Sequence, residues 1–381
     1  MKRALMTATV PSMIGQFNMN NIKLLQELGY KVDIATNFND YTVWNQERIN
    51  KFENELKELN IQTFNISFSR NPKDIKNLMN SYKQMKQLFD NQEYTLIHTH
   101  TPISSLITRL AYKRSNIYEA CKMIYTAHGF HFFKGNNPIK NFIYRNIEKI
   151  GAKYTDVLIT INKEDYEAAK MFKLKKNGTV EYVPGVGINI EKINSIQGSK
   201  KVLCNELDIP SESTLLLSVG ELNDNKNHKV VIKSLPELPD NVHYIICGVG
   251  PLKEKHEQLA NELKVFNRLH LLGYRTDVIR VMKSCDIFIF PSKREGLSVA
   301  LMEAMACGLL CIASNIRGNS DLMNSYAYGY MFESNTNLSA KKIMEILKVK
   351  STKNVDVSKY SKNTILSIMK KIYNNERNDG K

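Results

Sequence analysis

The sequence has little of what would mark a secreted, metal-bound or membrane-spanning protein. Its six cysteines are Cys121, Cys204, Cys247, Cys285, Cys307 and Cys311, and no two form a Cys-x-x-Cys pair. Most lie in or beside apolar runs, so buried thiols in a reducing compartment are expected, with no disulfide framework and no zinc site. No apolar run approaches the roughly 18 residues that a membrane-spanning helix needs. The opening stretch MKRALMTATV is too short and too polar for a signal peptide. There is a single tryptophan, Trp44, and the scattered aromatics make no stacking platform for bases. Acidic residues are in deficit: 53 Lys and Arg face 38 Asp and Glu, a net charge of +15, yet no basic tail forms. Without a nucleic-acid motif, that charge points to anionic small ligands or an anionic membrane surface. A cytoplasmic chain is expected, at most peripheral on the inner face of the membrane.

What is present is an alternation of apolar runs and helical stretches over 381 residues, too many for one ordinary core. The stretch from Asp286 to Leu322 organises the rest. Asp286–Phe290 is a short apolar run, as expected of a strand buried on both faces. Pro291 ends it, and a loop carrying Gly296 follows. Val299–Ala306 are mostly helix formers, Gly308 suits a helix C-terminus, and Leu309–Ala313 is a second buried strand. Such a strand-helix-strand unit binds ligands at the carboxyl end of its first strand. The N–H groups near Gly296, Leu297 and Ser298 suit a phosphate. Glu295 and Glu303 flank that position, and carboxylates beside a phosphate make sense where they accept hydrogen bonds from neutral hydroxyls. A nucleotide sugar has both parts.

The segment EGLSVALMEAMACG resembles the Glu-x7-Glu motif of the retaining glycosyltransferases of family 4, which have the GT-B fold. The resemblance implies that Glu295 faces the transferred sugar and Glu303 the ribose hydroxyls. It extends to GELNDNKNHK, where Gly220 and Lys226 match the family's glycine and its diphosphate-neutralising lysine. The family's arginine position is Glu221 here, a reversal of charge for which Lys293 or Arg294 could compensate. Tyr274 and Arg275 correspond to the loop that holds the base. In the first half, His128 in TAHGFHFFKG matches a histidine that contacts the donor sugar and its phosphate side, and Gly15 lies in an expected loop, Pro11–Phe17, resembling the one that admits the donor and acceptor near the first strand. His98, His100 and His131 are weaker candidates. Three histidines near one sheet edge could suggest a metal, but no carboxylate spacing supports one.

The resemblance therefore implies an α/β protein of the GT-B type: two doubly wound Rossmann-like domains facing a central cleft. The acceptor-side domain is expected over 1–186 and the donor-side domain over 187–357. A tail segment, 358–381, would return to the first domain. It also implies a UDP-sugar donor, a lipid-linked glycan acceptor of bacterial capsule or exopolysaccharide synthesis, and no metal or other cofactor. His128, Glu295 and Lys226 would serve catalysis, with Gly15, Gly220, Tyr274, Arg275, Gly296, Leu297, Ser298 and Glu303 binding the donor. Two alternatives share the architecture: a non-hydrolysing UDP-sugar epimerase, and a weakly catalytic partner subunit of a glycosyltransferase complex. Two stretches could meet a membrane. One is the lysine-lined face of an expected helix at 72–89. The other is Phe130, Phe132 and Phe133 beside Lys134, Lys140 and Arg145, although these phenylalanines could equally be core.

Overall fold

The first strand shows how the chain builds its layers. Along β1 (Lys2–Thr7), Ala4 and Met6 face one apolar core while Leu5 faces another. A strand can be apolar at successive positions only if both faces of its sheet are covered. In the computed structural model, which describes residues 2–333, 338–349 and 356–374, every strand pairing is parallel. The last residues of the expected tail segment, 375–381, lie outside the described residues.

The chain divides into two compact units, residues 1–186 with 365–381, and residues 187–364. The first holds β1, β2 (Tyr30–Thr36), β3 (Gln62–Asn65), β4 (Leu96–His100), β5 (Lys122–Ala127), β6 (Val157–Thr160) and β7 (Thr179–Tyr182), in the order β3-β2-β1-β4-β5-β6-β7. The second holds β8 (Thr214–Val219), β9 (Val242–Cys247), β10 (Leu269–Gly273), β11 (Ile287–Phe290), β12 (Leu310–Ser314) and β13 (Gly329–Phe332), in the order β10-β9-β8-β11-β12-β13. Each order reverses once, between β1 and β4 and between β8 and β11. Those reversals leave a crevice at the strands' carboxyl ends, where doubly wound sheets bind ligands. The final helix, Lys362–Tyr373, places Ile365, Met369, Ile372 and Tyr373 in the core that also contains Ala4, Met6 and Leu96.

Several local expectations need correction. Pro11–Phe17 is a helix, not a loop, with Pro11 at its first turn where a missing N–H costs nothing. Gly15 lies inside it; a Cβ there would stand 2.4 Å from the Trp44 ring, so the glycine makes room for the indole. The first sheet ends at β7, which pairs with β6. Phe130 and Phe132 are buried and stacked, with ring centroids 4.8 Å apart, so of the two readings open for them they are core. The helix Ile75–Asn91 buries Met85 and Phe89 but leaves Ile75 and Met79 exposed. The helices Lys200–Glu206, Asn319–Met323 and Ala340–Leu347 belong to the second unit with β13.

Candidate functional site

In the second unit the reversal places the loops after β8 and β11 side by side. The loop after β11 is stitched to its neighbour by backbone: Lys293 N donates to Asn225 O at 2.8 Å, and Asn225 Nδ2 donates to Arg294 O at 3.0 Å. This brings Lys226 Nζ to 2.7 Å from Glu295 Oε1, and the same ammonium lies 4.6 Å from the Phe290 ring centre. The two side chains keep 20% and 13% exposure, enough to reach a ligand. An ammonium has three donors, so the contact to Glu295 leaves capacity for a phosphate oxygen.

Glycines let these loops approach closely. A Cβ on Gly248 would sit 1.9 Å from Gly220 O, and one on Gly250 2.6 Å from Leu222 O. Gly318 has φ +77, and a Cβ there would sit 2.1 Å from Gly296 O. The strand ends after β8, β9, β11 and β12 thus pack main chain against main chain. Gly220 itself has φ +156 and its α-carbon lies under the Lys226 stem. Gly296, Leu297 and Ser298 lead into the helix Val299–Ala306, whose first turn Ser298 caps by accepting from Leu301 N at 3.3 Å.

Glu303 lies further along that helix and is half-buried. Among the described residues its carboxylate makes no hydrogen bond. Burial raises its carboxyl from 4.5 to about 7, with Lys192 opposing the rise. Tyr274 is 78% exposed on the rim. Arg275 is committed elsewhere: Nε and Nη2 each donate to Asp277 at 2.8 Å, and Nη1 bonds Glu206. It fixes the loop after β10. Glu221 is exposed, as are Lys293 and Arg294 on the stitched loop.

Sequence reasoning missed a buried relay behind this site. His228 Nδ1 lies 3.1 Å from the Tyr244 hydroxyl, which donates to Ser218 Oγ at 2.7 Å; Ser218 in turn donates to Ile289 O at 2.5 Å. Burial lowers the His228 imidazole to about 3, so it stays neutral. Nothing in the run NKNH signals these partners, which come from three separate strands.

In the first unit, His128 follows β5 and lines a small cavity with Asn18, Asn21, His100 and Gly185. Its Nε2 is 3.1 Å from His100 Nδ1. His98 uses both ring nitrogens, at 2.9 Å to the Tyr373 hydroxyl and 2.8 Å to Thr126 Oγ1. Burial lowers His98 to about 3 and His128 to about 4, and holds His100 well below the usual value. All three are neutral at pH 7. His131 instead meets the Tyr144 ring edge-on. Among the described residues, no group of three or more His, Cys, Asp or Glu converges as metal ligands.

Comparison with known proteins supplies the family. Residues 199–364 match the family described as glycosyl transferases group 1, and residues 15–162 match glycosyl transferase 4-like. The putative glycosyltransferase EpsD of Bacillus subtilis is 30% identical over 337 residues, covering 87% of this chain and 84% of that one. The Escherichia coli UDP-Gal:alpha-D-GlcNAc-diphosphoundecaprenol alpha-1,3-galactosyltransferase is 30% identical over 275 residues, covering 69% and 67%. Among solved structures, a glycosyltransferase from Rickettsia africae superposes with a TM-score of 0.74 at 19% identity, over 100% of this chain and 99% of that one. HepE from Anabaena, in complex with UDP-glucose, also gives 0.74, at 15% identity over 98% and 100%. With two parallel-sheet units, a Glu-x7-Glu segment on the second and matches along most of its length, the chain belongs to the group 1, family 4-like glycosyltransferases and has the GT-B fold.

Proposed function

We propose that this glycosyltransferase moves a sugar, with retained anomeric configuration, from a UDP-sugar to a polyprenyl-diphosphate-linked glycan in bacterial surface polysaccharide synthesis. The observation that carries the reading is the Lys226–Glu295 pair at the reversal of the second sheet, with the helix N-terminus beside it and the half-buried Glu303 behind it. Lys226 and the backbone donors at Gly296, Leu297 and Ser298 stabilise the diphosphate as it leaves, the step at which charge develops. They supply the counter-charge without a metal or cofactor. Glu295, oriented by its lysine, accepts from hydroxyls of the transferred sugar. Glu303 accepts from the ribose. Tyr274 and the backbone beside it cover the base, and Arg275 holds that loop. His128 is the first unit's candidate residue for the transfer reaction. The name of the Escherichia relative, a transferase from UDP-Gal to a diphosphoundecaprenol-linked sugar, supports the UDP-sugar and the lipid-linked acceptor.

Glu221 gives the partner-subunit alternative its one specific support, since an exposed carboxylate stands where the family carries an arginine. Against that, Lys293 and Arg294 lie on the loop that is stitched to Asn225, so two cations share this rim.

We propose that membrane contact, if made, runs through the helix Pro138–Ala152 and not through the buried phenylalanines. Ile139 and Phe142 are 71% and 72% exposed, Ile143 and Ile150 continue the same side, and Lys140, Arg145 and Lys149 are exposed among them. An apolar stripe bordered by cations suits the interface of an anionic bilayer. No described helix is long and apolar enough to cross a membrane.

The test is a panel of UDP- and GDP-sugars scored by thermal shift and by nucleotide release, with and without polyprenyl-diphosphate-linked sugars. One stabilising UDP-sugar whose UDP release rises with acceptor, and a product of unchanged anomeric configuration by NMR, is the expected result. Stabilisation by no nucleotide sugar favours the partner-subunit reading. Sedimentation with anionic vesicles that is insensitive to Phe142→Asp would refute the membrane assignment.

A further inference from the structure

The histidine cluster of the first unit contains one unexplained atom. His100 Nε2 is buried and has no hydrogen-bond partner. Its ring cannot swing to find one. It packs on His98, ring centroids 4.2 Å apart, and His98 is held at both nitrogens by Tyr373 and Thr126. The backbone around it is fixed too. Ser104 Oγ donates to His100 O at 2.9 Å, Thr9 N donates to Thr101 Oγ1 at 3.0 Å, and Thr101 occupies the left-handed region at φ +67.

An orphan nitrogen in a neutral imidazole constrains the proton. A buried N–H without an acceptor forfeits a full hydrogen bond, so the proton belongs on the nitrogen that has a partner. For His100 that is Nδ1, and its partner is His128 Nε2 at 3.1 Å. His128 Nε2 is then an acceptor, and the proton of a neutral His128 must sit on Nδ1. Among the described residues that Nδ1 has no hydrogen-bond partner, and His128 is a lining residue of the cavity. The opposite arrangement fails on its own terms. If His128 donated from Nε2, His100 Nδ1 would accept and its proton would be stranded on the partnerless Nε2.

We infer that His100 is a positioning residue, whose Nδ1–H donates to His128 Nε2 and so holds His128 in the Nδ1–H tautomer facing the cavity. His128 then presents a donor, not a lone pair. Its ligand atom is an oxygen acceptor, a hydroxyl or phosphate oxygen, and it cannot take a proton from an incoming hydroxyl at that nitrogen. The inference rests on the reading above only in assigning His128 to the transfer reaction; the tautomer itself follows from the hydrogen bonds.

The full chain labelled with 15N-histidine tests it, through long-range proton–nitrogen correlations at pH 7, the His128 signals being identified by their loss in His128→Asn. Wild-type protein is expected to show His128 protonated at Nδ1. His100→Leu removes the donor, so His128 shifts toward the Nε2–H form that dominates in water. The value of kcat/KM should fall about tenfold, the worth of one hydrogen bond. His100→Asn, whose side-chain N–H occupies nearly the place of Nδ1, restores both. Wild-type His128 found as the Nε2–H form or as an imidazolium overturns the inference, as does a Leu variant that keeps the Nδ1–H form. If the Leu variant does not fold, the wild-type spectrum decides. An Nδ1–H His128 in a chain that turns over no nucleotide sugar would sink the functional reading alone.

Discussion

Replacing Glu303 by Gln probes the site where burial and function pull in opposite directions. Desolvation raises the carboxyl from 4.5 to about 7, so the folded protein favours the neutral form. Because the folded value lies above the unfolded one, the stability from this group is fully present below pH 4.5 and is lost as pH rises through 7. At about 1.4 kcal/mol per pKa unit, roughly 3 kcal/mol disappears across that window. Gln is neutral throughout and keeps its stability. In parallel urea unfolding experiments the variant should therefore gain on wild type by about 3 kcal/mol between pH 4.5 and 7.5, most of it below pH 7. A ligand that donates ribose hydroxyls needs the ionised form, so UDP binding should be coupled to proton release. Its affinity should rise about tenfold per pH unit below 7 and flatten above. Calorimetry in buffers of different ionisation enthalpy measures both. The same pH slope in Glu303→Gln, or a carboxyl titrating near 4.5 in wild type, would refute the argument.

Three further perturbations follow from distances already given. Lys226→Ala should lower turnover about 10²–10³-fold, the loss of one group that stabilises developing charge. Stability should fall as well, by about 1–3 kcal/mol, because Glu295 is only 13% exposed and is left without its cation; UDP release and a melting curve separate the two effects. Gly318→Ala places a Cβ 2.1 Å from Gly296 O on a backbone at φ +77, and should cost about 2–3 kcal/mol and weaken UDP binding, read by denaturation and calorimetry. Arg109→Met strips the buried Glu148 of its cation, which lies at 3.4 Å and over the Tyr125 ring. It should cost about 3–5 kcal/mol, partly recovered when Glu148→Gln is added.

The central motif was legible because its physics is local. Ile287–Phe290 and Leu310–Ser314 are apolar runs that only a doubly covered strand can bury, and Val299–Ala306 lies between a capping serine and Gly308. Elements whose cause lies elsewhere in the chain were not legible. Pro11 and Gly15 read as a loop until Trp44 supplies the reason for the glycine. The strand Thr179–Tyr182 is half-buried at a sheet edge and has no apolar run to reveal it. Phe130 and Phe132, interleaved with cations, suit core and surface equally until they are seen packed against Phe172. Arg275 sits in the expected loop, but Glu206 and Asp277 occupy its guanidinium. The orientation of His128 depends on His100, whose ring rests on His98, and His98 is held by a tyrosine 275 positions away.

That tyrosine has a consequence for how the protein is made. The first unit opens the chain, yet Ile365, Met369, Ile372 and Tyr373 complete one of its cores. At about 5–20 residues per second, the ribosome needs about 10–40 s to synthesise residues 187–364 before that helix emerges. Through that interval the nascent first unit carries an unfilled apolar seam and a His98 lacking its phenolic partner. A messenger truncated before codon 365 would therefore yield not one finished unit and one missing, but two units of which the earlier is left unsealed.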